Sequence, residues 1–163
     1  MIEVQVFLGI MINTYMKIEV EIKKMKIIEI LALFKAIKNT AKKYHWKTVG
    51  SDFMGDHLLF DRIYDDISDD LVDAVVEKYF MGVGRKNIND VDNLCMLAAQ
   101  MEGESFPATE ESLPLMYQQL ASMMNQFITQ IEKIQAIRGI NSDLDTMAST
   151  ITQLYGLVLA RMA

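Results

Sequence analysis

Residues 25–46, MKIIEILALFKAIKNTAKKYHW, decide the fold class. Ile27, Ile30, Leu31, Phe34, Ile37, Ala41 and Tyr44 recur at steps of three and four, the spacing that lines one face of an α-helix. This helix is expected to end near His45-Trp46, and Gly50 breaks it. A second long helix is predicted from Ser51 or Asp52, an N-cap type followed by an acidic first turn. Its apolar positions include Phe53, Phe60, Ile63, Ile67, Leu71, Val75 and Tyr79, and Gly82 and Gly84 close it. Asn89 with Asp92 starts a short helix through Met101. Thr109, Glu110 and Glu111 open a third long helix through about Ile137, with Pro114 near its first turn and Gly139 as its stop. Ser142 with Asp145 caps a fourth helix that reaches the C-terminus. The expectation is therefore an all-α four-helix bundle. The short helix supplies the length of a crossover between the second and third long helices.

Upstream of this pattern, residues 1–24 stand apart as an N-terminal extension to a single domain spanning 25–163. Ile2, Val4, Val6, Leu8, Ile10 and Ile12 alternate with other residues, as does Lys17-Ile18-Glu19-Val20-Glu21-Ile22-Lys23. Period two favours strands; a flexible tail and a helix extension stay open beside that reading. The 163 residues make about one domain, and at 51% hydrophobic they bury a core and exclude a disordered chain. The longest apolar run, Val6 to Ile12, is far short of the roughly 20 residues of a membrane span. No basic residue precedes Lys17, so no secretory signal is expected. The lone Cys95 excludes an intrachain disulfide and a cysteine-cluster zinc site, and is expected buried and inert. The expected compartment is the cytoplasm. Trp46 is expected in the core, as are Met123, Met124 and Met147, which suit irregular gaps.

The net charge of −6 is unevenly spread. Residues 1–50 carry nine Lys against four Glu, whereas residues 51–92 carry eleven acids against four bases. An acidic middle segment favours cations over nucleic acid as partners. The two histidines, His45 and His57, lie where the first helix hands over to the second. Asp61 follows His57 by one helical turn, and Asp73 and Glu77 form a second pair at that spacing. Histidine and carboxylate without cysteine suit iron, manganese or zinc. On one straight helix, His57 would stand about 160° from Asp73 and about 200° from Glu77, and about 24 and 30 Å away along the axis. One subunit cannot close a site from both groups, but antiparallel packing across a twofold axis brings such ends together. A di-iron site inside the bundle is excluded. It needs Glu-x-x-His motifs, and Lys42 and Met54 occupy the positions three before the histidines. The third helix has only Glu132 in its latter half, and the fourth has no acid beyond Asp145.

His45-Trp46, Gly50, Phe53, His57, Asp61, Asp73 and Glu77 together resemble the signature of the Dps family, the mini-ferritins. Asp143-Leu144-Asp145-Thr146 is also similar to that family's pattern; Asp143 and Asp145 are expected to cap a helix, and the resemblance alone suggests an iron-entry pore. The similarity spans residues 26–163 and is most specific over 45–77. It implies a ferritin-like four-helix subunit assembled into a hollow dodecamer. It further implies that Fe(II) is oxidised by hydrogen peroxide between twofold-related subunits and stored as ferric mineral, sparing DNA from oxidative damage. By the resemblance, His45, His57 and Asp61 of one subunit face Asp73 and Glu77 of its neighbour. One departure stands out. Eleven residues separate Asp61 from Asp73, where the family pattern has ten, so the strict register places Val72 and Val76 at the acid positions. An extra residue turns the later pair by about 100°, which a π-bulge between Asp61 and Asp73 would absorb. Two other readings follow: a non-catalytic ferritin-like assembly protein whose site the extra residue has broken, or a DNA-coating protein using Lys35, Lys38, Lys42, Lys43 and Lys47. The latter lacks a detachable basic arm, because residues 1–24 mix three Lys with three Glu.

Overall fold

The computed structural model describes residues 25–134 and 138–163, so the alternating stretch 1–24 lies outside the described residues. Among those described, every regular element is helical. Helix α1 (Ile27–Lys47) is the centre of the packing. Residues 30–34 are buried in unbroken succession, so this stretch of α1 is enclosed on all sides while its last turns reach the surface. It packs against α2 (Phe53–Asp66), α4 (Leu94–Met101) and α5 (Leu113–Ile131). Helix α5 in turn lies against α6 (Arg138–Met162), which also meets α3 (Asp69–Val75). Phe34 of α1 meets Phe127 of α5 with ring centroids 5.6 Å apart, and Met123, Met124 and Met147 are buried as their apolar spacing suggests. No described helix is long and apolar enough to cross a membrane.

The second long helix is not continuous. It stops at Asp66; Ile67 and Ser68 take extended backbone angles, and α3 starts at Asp69. Ser68 is a true N-cap, its Oγ accepting the Asp70 N–H at 3.1 Å, with Asp69 and Asp70 in the first turn where the helix dipole favours acids. The π-helical stretch lies later than the sequence predicts, over Val76–Val83, and a 3₁₀ stretch Arg85–Asn93 leads into α4. Asp61, Asp65, Asp69, Asp73 and Glu77 recur every four residues in the sequence, but the kink interrupts them and they do not run down one helix. Two further boundaries differ. Helix α6 covers Arg138–Met162 among the described residues, so Ser142 and Asp145 sit inside it rather than capping it; Asp143 is instead paired with Lys78 at 2.8 Å. Helix α5 ends at Ile131, short of the expected Ile137.

The kink is tied to α1 from the side. Lys35 and Lys38, one turn apart on α1, reach Asp69 at 3.1 and 3.2 Å. Partial burial pushes the Asp69 carboxyl upward, but the hydrogen bonds and charge of the two lysines outweigh it and hold the group below the ordinary carboxylate value. Because the folded value lies below the unfolded value of about 3.9, the stabilisation is complete above that pH and is lost as pH falls through the depressed value. A carboxyl-carbon NMR titration should place the Asp69 midpoint below 3.9, and a Lys35→Met/Lys38→Met variant should return it upward. A midpoint unchanged by that variant contradicts the two-lysine tie.

Candidate metal centre

The turn from α1 into α2 places the two histidines face to face. Thr48 ends α1 with its Oγ1 donating to the Tyr44 carbonyl at 2.9 Å. Gly50 then takes a positive φ of 111°, a region that favours glycine. Ser51 is held on the far side, its backbone N–H and hydroxyl both donating to Glu110 Oε1 at 3.1 Å. This short reversal sets the last turn of α1, carrying His45, beside the second turn of α2, carrying His57.

The imidazoles stack with centroids 3.7 Å apart, and Phe53 stacks on the outer face of His57 at 4.9 Å. Their hydrogen bonds are reciprocal: His45 Nδ1 lies 3.0 Å from the His57 carbonyl, and His57 Nδ1 lies 3.3 Å from the His45 carbonyl. A carbonyl oxygen only accepts, so both rings donate from Nδ1, and in a neutral ring the lone pair is then on Nε2. That is how a protein fixes the tautomer of a metal-binding histidine. Asp61 Oδ1 stands 3.8 Å from His45 Nδ1, and the Lys42 ammonium is the same distance from that oxygen. Lys42 also lies over the ring of Tyr64 at 4.2 Å.

His45, His57 and Asp61 thus gather at one end of α1 and α2. Asp73 and Glu77 do not join them. Asp73 is exposed on α3 between buried Val72 and Val75, and Glu77 is exposed in the π-helical stretch. Among the described residues, no group of three or more His, Cys, Asp or Glu in one chain is arranged to hold a metal ion. Imidazole nitrogens are donors to iron, copper, nickel or zinc, and Asp61 is a carboxylate placed beside them.

No family model, no curated protein and no solved structure matches this chain. Trp46, next to His45 in the chain, is 71% exposed, not in the core, and Phe53, Met54 and Leu58 near the start of α2 are exposed too. Apolar side chains therefore border the site, as at an interface. Cys95 is exposed rather than buried. The lysine stripe is occupied within the chain: Lys35 and Lys38 on Asp69, Lys42 beside Asp61, Lys43 on Glu102, and Lys47 on Ser105 and the Phe106 carbonyl at 2.8 Å.

The pattern reading missed a second cluster. Asp56, immediately before His57, is fully buried. Arg161, near the end of α6, grips it with Nε on Oδ1 at 2.8 Å and Nη2 on Oδ2 at 3.2 Å, and the Tyr117 hydroxyl donates to Oδ1. Hydrogen bonding to Asp56 raises the Arg161 guanidinium above its ordinary value; burial, then Asp56, raises the Tyr117 phenol. A sequence signal exists for these residues. Asp56 precedes Phe60, Ile63 and Ile67 at apolar spacing, and Arg161 follows Leu154 and Val158 in the same manner. Each is a charge on a core-facing stripe.

Proposed function

We propose that this chain is the subunit of an iron-sequestering ferroxidase of the mini-ferritin (Dps) type. In this reading the helices form a ferritin-like bundle with a crossover between α3 and α5, and copies assemble into a hollow homo-oligomer, a dodecamer by resemblance. His45, His57 and Asp61 of one subunit bind Fe(II), and Asp73 and Glu77 of a second subunit complete each site. The observation that carries it is the reciprocal Nδ1–H hydrogen bonding of the stacked histidines, which in their neutral form leaves both Nε2 atoms as donors, with Asp61 one turn after His57 and beside His45. The exposed Trp46, Phe53, Met54 and Leu58 around them supply a surface for a second copy.

Iron is the substrate. Two Fe(II) ions each give one electron to hydrogen peroxide, the O–O bond breaks, and two protons complete two waters. Because both electrons arrive together, no hydroxyl radical leaves the site, and DNA is spared without being touched. The engaged lysine stripe accords with that indirect role, since DNA coating needs several free cations on phosphates. Carboxylates from a second subunit balance the ferric charge, and their exposure leaves them available to a neighbour. The kink at Ile67–Ser68 favours one other reading, a ferritin-like assembly protein whose acid pair no longer reaches the histidines.

Rapid mixing of Fe(II) with peroxide distinguishes them. The intact protein should oxidise iron faster than buffer by about 100-fold or more, taking two Fe(II) per peroxide and retaining the iron in a large particle. A His45→Ala/His57→Ala variant should fall to the buffer rate while keeping its assembly. Equal, slow rates in both proteins contradict the ferroxidase.

A further inference from the structure

The buried cluster beside His57 does more than close the core. Helix α2 packs chiefly on α1, and a separate tie sets how its first turn sits relative to α5 and α6. The tie that does so is polar: Asp56 from α2, Tyr117 from α5 and Arg161 from α6. A buried ion pair is a poor source of stability, but a two-pronged guanidinium–carboxylate contact is strict in geometry. Its rotation is fixed further because Tyr117 stacks on Phe60 at 4.8 Å, and Phe60 meets Tyr44 edge-on at 5.9 Å. Asp56 and Tyr44 are the immediate chain neighbours of His57 and His45. The chain Arg161–Asp56–Tyr117–Phe60–Tyr44 therefore braces both carbonyls that orient the imidazoles.

We propose that Arg161, Asp56 and Tyr117 are positioning residues of the histidine site, holding α2 at the rotation that keeps His57 stacked on His45 with both Nε2 atoms free. Their importance to metal binding rests on the reading of His45 and His57 as ligands; their hold on the ring geometry does not. The C-terminal turn of α6 is thereby coupled to a site at the α1–α2 turn. Arg161→Lys keeps the charge but removes the fork, and Tyr117→Phe keeps the stack but removes the hydroxyl.

The test is nitrogen NMR of the imidazoles in the full chain, with Co(II) alone as the metal probe. The unaltered protein should show two Nδ1-protonated rings with slowly exchanging protons. Arg161→Lys should lose that signature and bind Co(II) about 10-fold more weakly or worse, as loss of an outer partner does; Tyr117→Phe should weaken both partially. Lys78→Met, which breaks only the Lys78–Asp143 pair, serves as the control for general loosening and should keep the signature. Persistence of both protonated Nδ1 signals in Arg161→Lys and Tyr117→Phe overturns the proposal. If the unaltered protein binds no Co(II) yet Arg161→Lys still loses the signature, the positioning role stands and the metal reading falls.

Discussion

Replacing Arg161 by methionine is expected to destabilise the fold by about 3 kcal/mol, because it strands the Asp56 carboxylate in the core. Asp56 is fully buried, and only the Tyr117 hydroxyl would remain to it. The effect belongs at the lower end for broken buried pairs, since Arg161 is itself 40% exposed and water can reach its place. For a chain of this length, about 3 kcal/mol corresponds to a fall of roughly 6–12 °C in the thermal midpoint. The sign of a second substitution identifies the cause. Adding Asp56→Leu to the Arg161→Met protein removes the stranded charge, so the double variant should be more stable than Arg161→Met alone. Thermal unfolding followed by circular dichroism at one protein concentration decides it. A double variant less stable than either single one would show that no buried charge is stranded when Arg161 is lost.

The helical class of the described residues was legible in the three-and-four steps of α1's apolar residues and in Gly50, which turns the chain just beyond its end. The kink was also written, as Ser68-Asp69-Asp70, a capping residue followed by two acids. It was outweighed by the apolar spacing of Phe60, Ile63, Ile67 and Leu71, which runs through the break because Ile67 remains buried beside the core. Periodicity reports which side chains face inward and is blind to a two-residue extension that preserves that facing. Gly139 misleads for a different reason: it suggests a stop, but in the structure it lies within the described helix Arg138–Met162. Of the proposed site, the pairing of His45 with His57 was readable from their places at the two helix ends. The hydrogen bonds to each other's carbonyls depend on the turn geometry at Gly50 and were not. Trp46 and Phe53 look like core residues by composition, and only the packed chain shows them facing outward. An interface residue and a core residue share one chemistry and differ in which molecule covers them. Asp56 and Arg161 were passed over because a charge on an apolar stripe reads as a boundary until its partner, 105 residues away, is brought beside it.

The proposed sharing of each site between two subunits is open to a direct test by mixing two inert proteins. One carries His45→Ala/His57→Ala and keeps its acids; the other carries Asp73→Ala/Glu77→Ala and keeps its histidines. Alone, each should oxidise Fe(II) at the buffer rate. Dissociated and reassembled together in equal amounts, half of the twofold pairs are mixed, and each mixed pair joins intact histidines to intact acids at one of its two sites. The mixture should therefore recover about a quarter of the unaltered protein's initial rate, whereas the same proteins mixed without dissociation should stay inert. A reassembled mixture as inactive as its components, with both variants shown to co-assemble, would contradict a site built from His45, His57 and Asp61 of one subunit and Asp73 and Glu77 of another.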